Sequence, residues 1–245
     1  MLDLRLDGPV ARLLLNRSAA RNAVPVALWP EIASRAREAA GEGARVVILS
    51  GDANAFCAGA DLSEFLALQS DEAARVRFRE AMREGIDGLA ALPLPSIGQI
   101  EGPCFGAGVA LAMACDIRIA SPAARFAITP AKIGISYPQE DIARLVGLVG
   151  PGQAARLLLS AEAIDAAEAA RIGLVEVVAE DAAAAAEALA SAIAAGSPAS
   201  HAALKRGLAL AAQGVRSDAG QDAVFDSLFG SADFAERLEA VRGGR

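Results

Sequence analysis

The alternation of hydrophobic and polar residues divides the first part of the chain into strands and one clear helix. The stretches "LDLRLDG" and "VARLLLN" alternate residue by residue and predict a β-hairpin that turns at Gly8-Pro9. Apolar residues at helical spacing predict an amphipathic helix from Pro25 to about Ala40. The short apolar run "ARVVILSG" is typical of a buried parallel strand, and Gly51 ends it.

The same pattern predicts an α/β fold with a helical C-terminal part. The stretch "AFCAGADLSEF" leads into a helix, a second helix is predicted from Asp71 to about Ala91, and "PSIGQIEG" predicts a strand. "GPCFGAGVALAMACDIRIAS" predicts a glycine-rich turn, a helix of small residues and a strand, and "ARFAITPAKIG" predicts a strand and a loop. Beyond Gly150 the chain is mostly helical, with a strand near Leu174–Val178 and an alanine-rich helix within Asp181–Ala195.

Length and composition are those of one soluble α/β unit with a helical appendage. The 245 residues can build a full hydrophobic core, and 54% of them are hydrophobic while only 4% are aromatic. No continuous apolar run approaches the roughly 18 residues that span a bilayer, and the charged start "MLDLRLDGPV" is unlike a signal peptide. We therefore expect a soluble, cytoplasmic protein with no membrane partner.

Charge and the scarcity of reactive side chains argue against several classes of function. The net charge of −7 disfavours a nucleic-acid partner. The three cysteines, Cys57, Cys104 and Cys115, lack metal-ligand spacing, so we expect buried thiols and no metal site. A single histidine, His201, makes a Ser-His-Asp triad or a zinc centre hard to assemble.

Two turns of small residues are the strongest candidates for a site. Ala58-Gly59-Ala60 and Gly106-Ala107-Gly108 each follow an apolar strand and lead into a helix. The first N–H groups of a helix have no intrahelical acceptor and lie at the positive end of its dipole. Two such turns could aim two N–H donors at one oxygen, as in an oxyanion hole. Close packing and a phosphate cradle are the alternatives, although neither turn has a P-loop or dinucleotide-binding motif.

Several stretches, in this order, resemble the crotonase superfamily, the enoyl-CoA hydratase/isomerase group: "LNRSAARNAV", "FCAGADLSEF", "EGPCFGAGVALAMACDIRIAS", "FAITPAKIG" and "AAEAARIGLVEVV". The resemblance implies a ββα-spiral core in residues 1–190 and a C-terminal helical trimerisation module in residues 191–245. It also implies a homotrimer or a dimer of trimers, a role in fatty acid metabolism, and acyl-CoA thioester substrates without a prosthetic group. In that family two backbone N–H groups hold the thioester oxygen, and these positions fall on Ala60 and Ala107.

The resemblance also shows what this chain lacks. Family hydratases carry two glutamates that activate water, and the matching positions are Ala110 and Pro130. Adding water needs an acid and a base, which neither side chain supplies. Isomerase-like or decarboxylase-like chemistry, use of a bound anion such as bicarbonate, and a catalytically retired acyl-CoA-binding protein stay open. A nucleotide-handling α/β protein is a further alternative.

Tyr137 and Glu140 are the remaining candidates for catalysis. The segment "TPAKIGISY" resembles decarboxylase-like members in which a tyrosine lies at the reacting carboxylate, and that tyrosine matches Tyr137. Its phenol could donate a proton, or it could line a pocket with its hydroxyl on a carbonyl. Glu140 and Asp141 lie where a helix is predicted to begin, so they either complement the helix dipole or act as a base with a raised pKa.

The CoA-binding region is predicted around the first loop and the first small-residue turn. The resemblance places phosphate and adenine contacts near "LNRSAARNA", and we prefer Arg21 over Arg17 as phosphate partner, with a solvated arginine as the alternative. Asp61 also has the sequence of a helix cap. Leu62 and Phe65 could line an acyl slot or pack in the core. The predicted CoA-binding residues are Arg21, Ala20, Ala23, Ala58, Gly59, Asp61 and Leu62.

Overall fold

The computed structural model describes residues 2–52 and 55–243, and the strands within them form two sheets. The strands are Leu2–Asp7 (β1), Val10–Leu15 (β2), Val46–Gly51 (β3), Ser96–Ile100 (β4), Pro103–Phe105 (β5), Ile117–Ala120 (β6), Arg125–Ala127 (β7), Ala163–Asp165 (β8) and Val177–Val178 (β9). The larger sheet runs β1-β2-β3-β4-β6-β9 and the smaller β5-β7-β8. The α/β prediction is confirmed.

The hairpin and the parallel strands of the larger sheet form as predicted. Strands β1 and β2 are antiparallel, with Leu2 opposite Leu15 and Asp7 opposite Val10. Strands β3, β4, β6 and β9 then add in parallel. Val46–Leu49 are buried on both faces of the sheet, which is why this stretch reads as a continuous apolar run.

Ten helices surround the sheets within the described part of the chain. They are Trp29–Gly41 (α1), Phe65–Ser70 (α2), Glu72–Ala90 (α3), Ala107–Ala114 (α4), Gln139–Ser160 (α5), Ala166–Arg171 (α6), Ala182–Ala194 (α7), Pro198–Ala212 (α8), Ala219–Phe229 (α9) and Ala232–Gly243 (α10). Helix α1 begins four residues later than predicted, because a 3₁₀ turn at Val26–Leu28 precedes it. Helices α1, α3 and α4 contribute to the main hydrophobic core.

Helix α7 covers the second face of the larger sheet. Its buried residues are Ala182, Ala186, Ala190 and Ala194, which recur every fourth position and pack with sheet residues such as Ile48. The helix was predicted from Leu189 and Ile193, but these two are only partly buried. Small alanines allow the helix to lie close to the sheet. The predicted boundary between residues 190 and 191 therefore falls inside a helix that packs on the core, and not in a linker.

Residues 1, 53 and 54 of the predicted core and residues 244–245 of the predicted C-terminal module lie outside the described residues. Within that module, helices α8, α9 and α10 leave large apolar side chains exposed. The rings of Phe225, Phe229 and Phe234 stack edge to face with one another, and Phe225 and Phe229 remain 62% and 57% exposed.

Helix α5 is the one helix of the described ranges that is long and apolar enough to cross a membrane by length and composition. Its sequence is not one continuous apolar run, because charged residues such as Arg144 interrupt it. Gly150 has non-helical angles (φ 76°, ψ 164°) and Pro151 follows it, so two shorter helices meet at a kink.

Candidate active site

The two small-residue turns lie side by side in the fold. Cys57 and Cys104 pair as a parallel bridge, and the Phe105 N–H donates to the Cys57 carbonyl at 2.9 Å. A Cβ atom at Gly59 would lie 3.4 Å from the amide nitrogen of Ala107. The backbone after Cys57 and the start of α4 are therefore in contact, as the hypothesis of a shared site requires.

The amides of Ala60 and Ala107 have no protein acceptor within residues 2–52 and 55–243. Ala107 is the first residue of α4, where an N–H has no intrahelical partner. Gly106 precedes it with φ +51° and turns the chain from β5 into the helix. Both alanines are only half-buried. Both N–H groups are therefore available to a hydrogen-bond acceptor of a bound ligand.

Gly59 has to be glycine for this arrangement to exist. Its φ is +107°, in the region that side chains disfavour. An added Cβ would also lie 2.9 Å from the Phe105 carbonyl oxygen, so the two turns could not approach. The Gly59 N–H donates to Cys57 Sγ at 3.4 Å, which orients the turn further. Burial raises the pKa of the Cys57 thiol to about 12, so this sulfur stays neutral, in keeping with the prediction of a buried thiol.

The first loop is bound to the first turn by backbone hydrogen bonds. The Ala58 N–H donates to the Arg21 carbonyl at 2.9 Å, and the Val24 N–H donates to the Gly59 carbonyl at 2.8 Å. Ala20, Arg21 and Ala23 therefore lie next to the predicted wall of the CoA site. Arg21 is exposed and forms no ion pair with any described residue.

Arg17 and Asp61 have structural roles in that contact. The Arg17 guanidinium is 2.5 Å from Asp61 and also donates to the Ala23 carbonyl. Asp61 accepts the Ser63 N–H at 3.0 Å, which confirms the predicted helix cap, although the helix it caps is a 3₁₀ turn. Hydrogen bonds from Ser63 and the contact with Arg17 lower the pKa of the Asp61 carboxyl. Arg17 is thus paired with Asp61, whereas Arg21, the arginine preferred from the sequence as phosphate partner, forms no ion pair with a described residue.

A cavity of about 420 Å³ opens in front of the two turns. Its wall includes Ala60, Ala107 and Tyr137, which were predicted as catalytic, and Ala58, Gly59 and Leu62, which were predicted to bind CoA. The predicted Arg21, Ala20, Ala23, Asp61 and Glu140 are not in its wall. The other lining residues are Phe65, Phe78, Arg79, Met82, Phe105, Gly106, Thr129, Pro130, Lys132, Ile133, Ile135, Ser136 and Pro138.

Tyr137 lines the cavity with its hydroxyl engaged. The phenol donates to the Gly106 carbonyl at 3.0 Å and is 7% exposed. Burial, and next the charge of Asp141, raise the pKa of Tyr137 well above its ordinary value. The phenol therefore stays protonated near neutral pH and can act as a hydrogen-bond or proton donor but not as a base.

The ionisation of Tyr137 can be observed directly, because it is the only tyrosine of the chain. We expect no phenolate absorbance from the folded protein near pH 10, and its appearance there once the protein is unfolded in denaturant. The raised pKa means that this group's contribution to stability is complete below about pH 10 and falls as the pH rises further. Phenolate formation near pH 10 in the folded state would contradict the buried geometry.

Glu140 does not reach the cavity, contrary to its proposed catalytic role. Its side chain is 56% exposed and 4.0 Å from Arg83, in the first turn of α5. The neighbouring Asp141 points inward instead and is fully buried, with Arg83 at 2.6 Å and Arg144 at 3.1 Å. Burial raises the pKa of Asp141 although both arginines oppose this. Glu140 therefore lies at the exposed start of the helix, as the dipole interpretation requires, whereas Asp141 is held in a buried ion pair with two arginines.

Three residues at the site, Arg79, Lys132 and Asn22, were not found from the sequence. Arg79 and Lys132 line the cavity, and Asn22 is fully buried with φ +58°, donating to the carbonyls of Asp52 and Ala55. Glu64 accepts the Val26 N–H at 2.8 Å. Only Asn22 had a signal, since asparagine tolerates the left-handed conformation that a tight loop uses.

Ala110 and Pro130 occupy different places relative to the cavity. Ala110 is completely buried in α4 and is not in the cavity wall, whereas Pro130 lines it. The described residues contain no group of three or more side chains suited to hold a metal ion.

The chain is similar to known proteins over nearly its whole length. A family profile described as enoyl-CoA hydratase/isomerase matches residues 6–241. A Mycobacterium tuberculosis protein named as a probable enoyl-CoA hydratase, echA6, is 36% identical over 174 residues, which are 71% of this chain and 69% of that protein.

Two solved structures are similar over all of this chain. An enoyl-CoA hydratase/isomerase family protein from Hyphomonas neptunium has a TM-score of 0.95 and 35% identity, with 95% of that chain covered. An enoyl-CoA hydratase/carnitine racemase from Magnetospirillum magneticum has a TM-score of 0.93 and 33% identity, with 93% covered. These matches also confirm the predicted fold.

Proposed function

The chain belongs to the enoyl-CoA hydratase/isomerase family of the crotonase superfamily, and on this basis we propose that it binds an acyl-CoA thioester in the cavity and stabilises its enolate. The proposal rests above all on one observation. Within residues 2–52 and 55–243, neither the Ala60 N–H nor the Ala107 N–H has a protein acceptor, and both residues belong to the wall of one cavity.

In this proposal the thioester oxygen accepts hydrogen bonds from both amides. Its charge grows as the enolate forms, so donors already in place stabilise the transition state more than the ground state. Removing one such donor costs about 2.7–4 kcal/mol in comparable sites. The small residues of the two turns leave room for the carbonyl, which explains why bulky side chains are absent there.

The titratable side chains of the cavity limit the reaction. Among the described residues in its wall these are Arg79, Lys132 and Tyr137, and no carboxylate is present. Hydration needs a base to activate water, and a protonated phenol is not one. When an acyl-CoA carries a carboxylate on its α-carbon, breaking the bond to that carboxylate releases carbon dioxide and leaves the electron pair as the enolate, so no base is needed and a proton donor completes the reaction. A decarboxylase-like activity is therefore the second candidate, with Tyr137 as donor once its hydroxyl turns away from the Gly106 carbonyl.

Ligand binding and enolate formation test the proposal separately. Thermal shifts with CoA, acetyl-CoA, ATP and NAD distinguish an acyl-CoA protein from a nucleotide-handling one, and no shift with any CoA species would overturn the proposal. Exchange of the α-protons of an acyl-CoA in heavy water then measures enolate formation, with the buffer supplying the base that the described cavity wall lacks. Mass spectrometry on a small acyl-CoA panel reports added water, lost carbon dioxide and free CoA together. Binding without exchange or products would identify a retired acyl-CoA-binding protein.

Arg21 is the proposed partner of the CoA phosphates. It is exposed, without an ion-pair partner among the described residues, and its carbonyl is bonded to the proposed CoA wall at Ala58. We expect Arg21→Ala to weaken acyl-CoA binding about three- to tenfold at low salt and less at higher salt, because exposed charges are screened. Arg5→Ala removes an exposed arginine from β1 and should leave the dissociation constant unchanged. Equal effects of both variants would point to a general loss of charge.

We also propose that the protein works in the cytoplasm as a homotrimer or a dimer of trimers. The exposed apolar side chains of α8–α10, including Phe225 and Phe229, supply a surface that association would bury. The mass of the assembly in solution, measured by light scattering, tests this.

A further inference from the structure

Arg79 differs from the other arginines of α3. Arg75 donates to the carbonyls of Leu68 and Gln69, Arg77 is 3.3 Å from Asp71, and Arg83 is 2.6 Å from Asp141. Arg79 alone of the four has no acceptor within residues 2–52 and 55–243, and it alone lines the cavity. Its charge is therefore available to something that enters the cavity.

Lys132 adds a second positive charge to the cavity from a different segment of the chain. It lies in the 3₁₀ turn Pro130–Ile133, lines the cavity, and forms no ion pair with a described residue. The described wall contains no aspartate or glutamate. Both Arg79 and Lys132 are exposed, so they reach the cavity from its solvent-facing side. The protein has a net charge of −7, so two such cations without an ion-pair partner among the described residues run against its overall charge. Such a site favours an anionic ligand group.

The residues around Arg79 indicate which anionic group of a ligand it would bind. Arg79 follows Phe78, whose ring packs edge to face on Phe65 at 5.5 Å, and Met82 lies one helical turn further along the same cavity wall. This apolar wall suits an acyl chain. The loop proposed for the CoA phosphates, around Arg21, is bonded to the segment at Ala58 and is not part of this wall.

We propose that the cavity takes acyl-CoA thioesters whose acyl group carries a free carboxylate at its far end, and that Arg79 binds this carboxylate. A guanidinium matches a carboxylate with two parallel hydrogen bonds, while Lys132 adds positive potential as a point charge. A carboxylate at the far end is not attached to the α-carbon, so the thioester carbonyl cannot take up the electron pair that loss of carbon dioxide would leave, and this group is retained. The inference rests on the proposed acyl-CoA binding and adds the substrate class to it.

The test compares two ligands of equal chain length, pentanoyl-CoA and glutaryl-CoA, which differ by the terminal carboxylate. Their dissociation constants are measured by calorimetry for the wild type and for Arg79→Gln, Lys132→Gln and the control Arg77→Gln. We expect the wild type to bind glutaryl-CoA at least tenfold more tightly. Arg79→Gln should remove most of this preference, Lys132→Gln part of it, and Arg77→Gln none, because Arg77 lies outside the cavity.

Three outcomes would overturn the inference. The first is equal binding of both ligands by the wild type. The second is an Arg79→Gln variant that binds both ligands more weakly by the same factor, which would assign Arg79 to the CoA phosphates. In that case the matching pantetheine thioesters, which lack the nucleotide phosphates, would bind the variant and the wild type equally well. The third is a preference that survives in Arg79→Gln. Failure of both thioesters to bind would instead refute the proposed function itself.

Discussion

Replacing Ala107 with leucine is expected to abolish enolate formation, with a loss of about 100-fold or more in the rate of α-proton exchange. The leucine side chain would extend into the cavity that Ala107 lines and would keep the thioester oxygen away from the two free amides. Loss of one oxyanion donor alone costs about 100- to 1000-fold in comparable enzymes. Leucine is a good helix former, so the first turn of α4 should still form.

The control for this variant is Ala183→Leu, on the exposed face of α7. It makes the same chemical change in a helix that does not line the cavity, and we expect wild-type exchange rates. Circular dichroism and thermal unfolding of both variants show whether the fold is kept. An Ala107→Leu protein that is folded and fully active would disprove the placement of the thioester between Ala60 and Ala107.

Replacing Asp141 with alanine is expected to lower the free energy of unfolding by about 3–5 kcal/mol. The carboxylate is completely buried between Arg83 and Arg144, whose side chains are only 15% and 24% exposed. Without it, two arginines remain in a poorly solvated place, and removing one partner of a buried ion pair costs more than the pair contributes. Urea unfolding monitored by circular dichroism measures the change.

Asp87→Ala serves as the matched control in the same cluster. Asp87 is 2.5 Å from Arg144 but 42% exposed, so we expect a loss of about 1 kcal/mol or less. A comparable loss from both variants would mean that burial does not set the strength of this cluster. Asp141 follows the cavity-lining Pro138 closely in the chain, so its loss should also loosen the wall that holds Tyr137.

The backbone part of the site was predictable from sequence, whereas most of its charged part was not. Ala58-Gly59-Ala60 and Gly106-Ala107-Gly108 are local signals, because a strand-to-helix junction of small residues has few explanations. Arg79 gave no such signal. Helix α3 carries several arginines, and only packing decides that one of them lines the cavity while its neighbours meet carboxylates or carbonyls.

Glu140 illustrates the same limit in another way. Successive residues of a helix point about 100° apart, so a shift of one position exchanges an exposed side chain for a buried one. The sequence pattern predicted where the helix begins. It did not distinguish which of the two neighbours, Glu140 or Asp141, is buried, and in the structure this is Asp141. The sequence allowed two roles for Tyr137, and the structure adds that its hydroxyl donates a hydrogen bond to the Gly106 carbonyl.

Local periodicity was enough to define the hairpin and the buried strand β3, and it located helix α7 although not its buried face, since each pattern reflects which side chains leave water within one short segment. The side-by-side placement of the turns that carry Ala60 and Ala107 is of another kind. It depends on the pairing of Cys57 with Cys104 and on the space left by Gly59, which are contacts between segments far apart in the chain. Such contacts form only when whole helices and strands pack together, because a short stretch of sequence does not determine which distant segment packs against it.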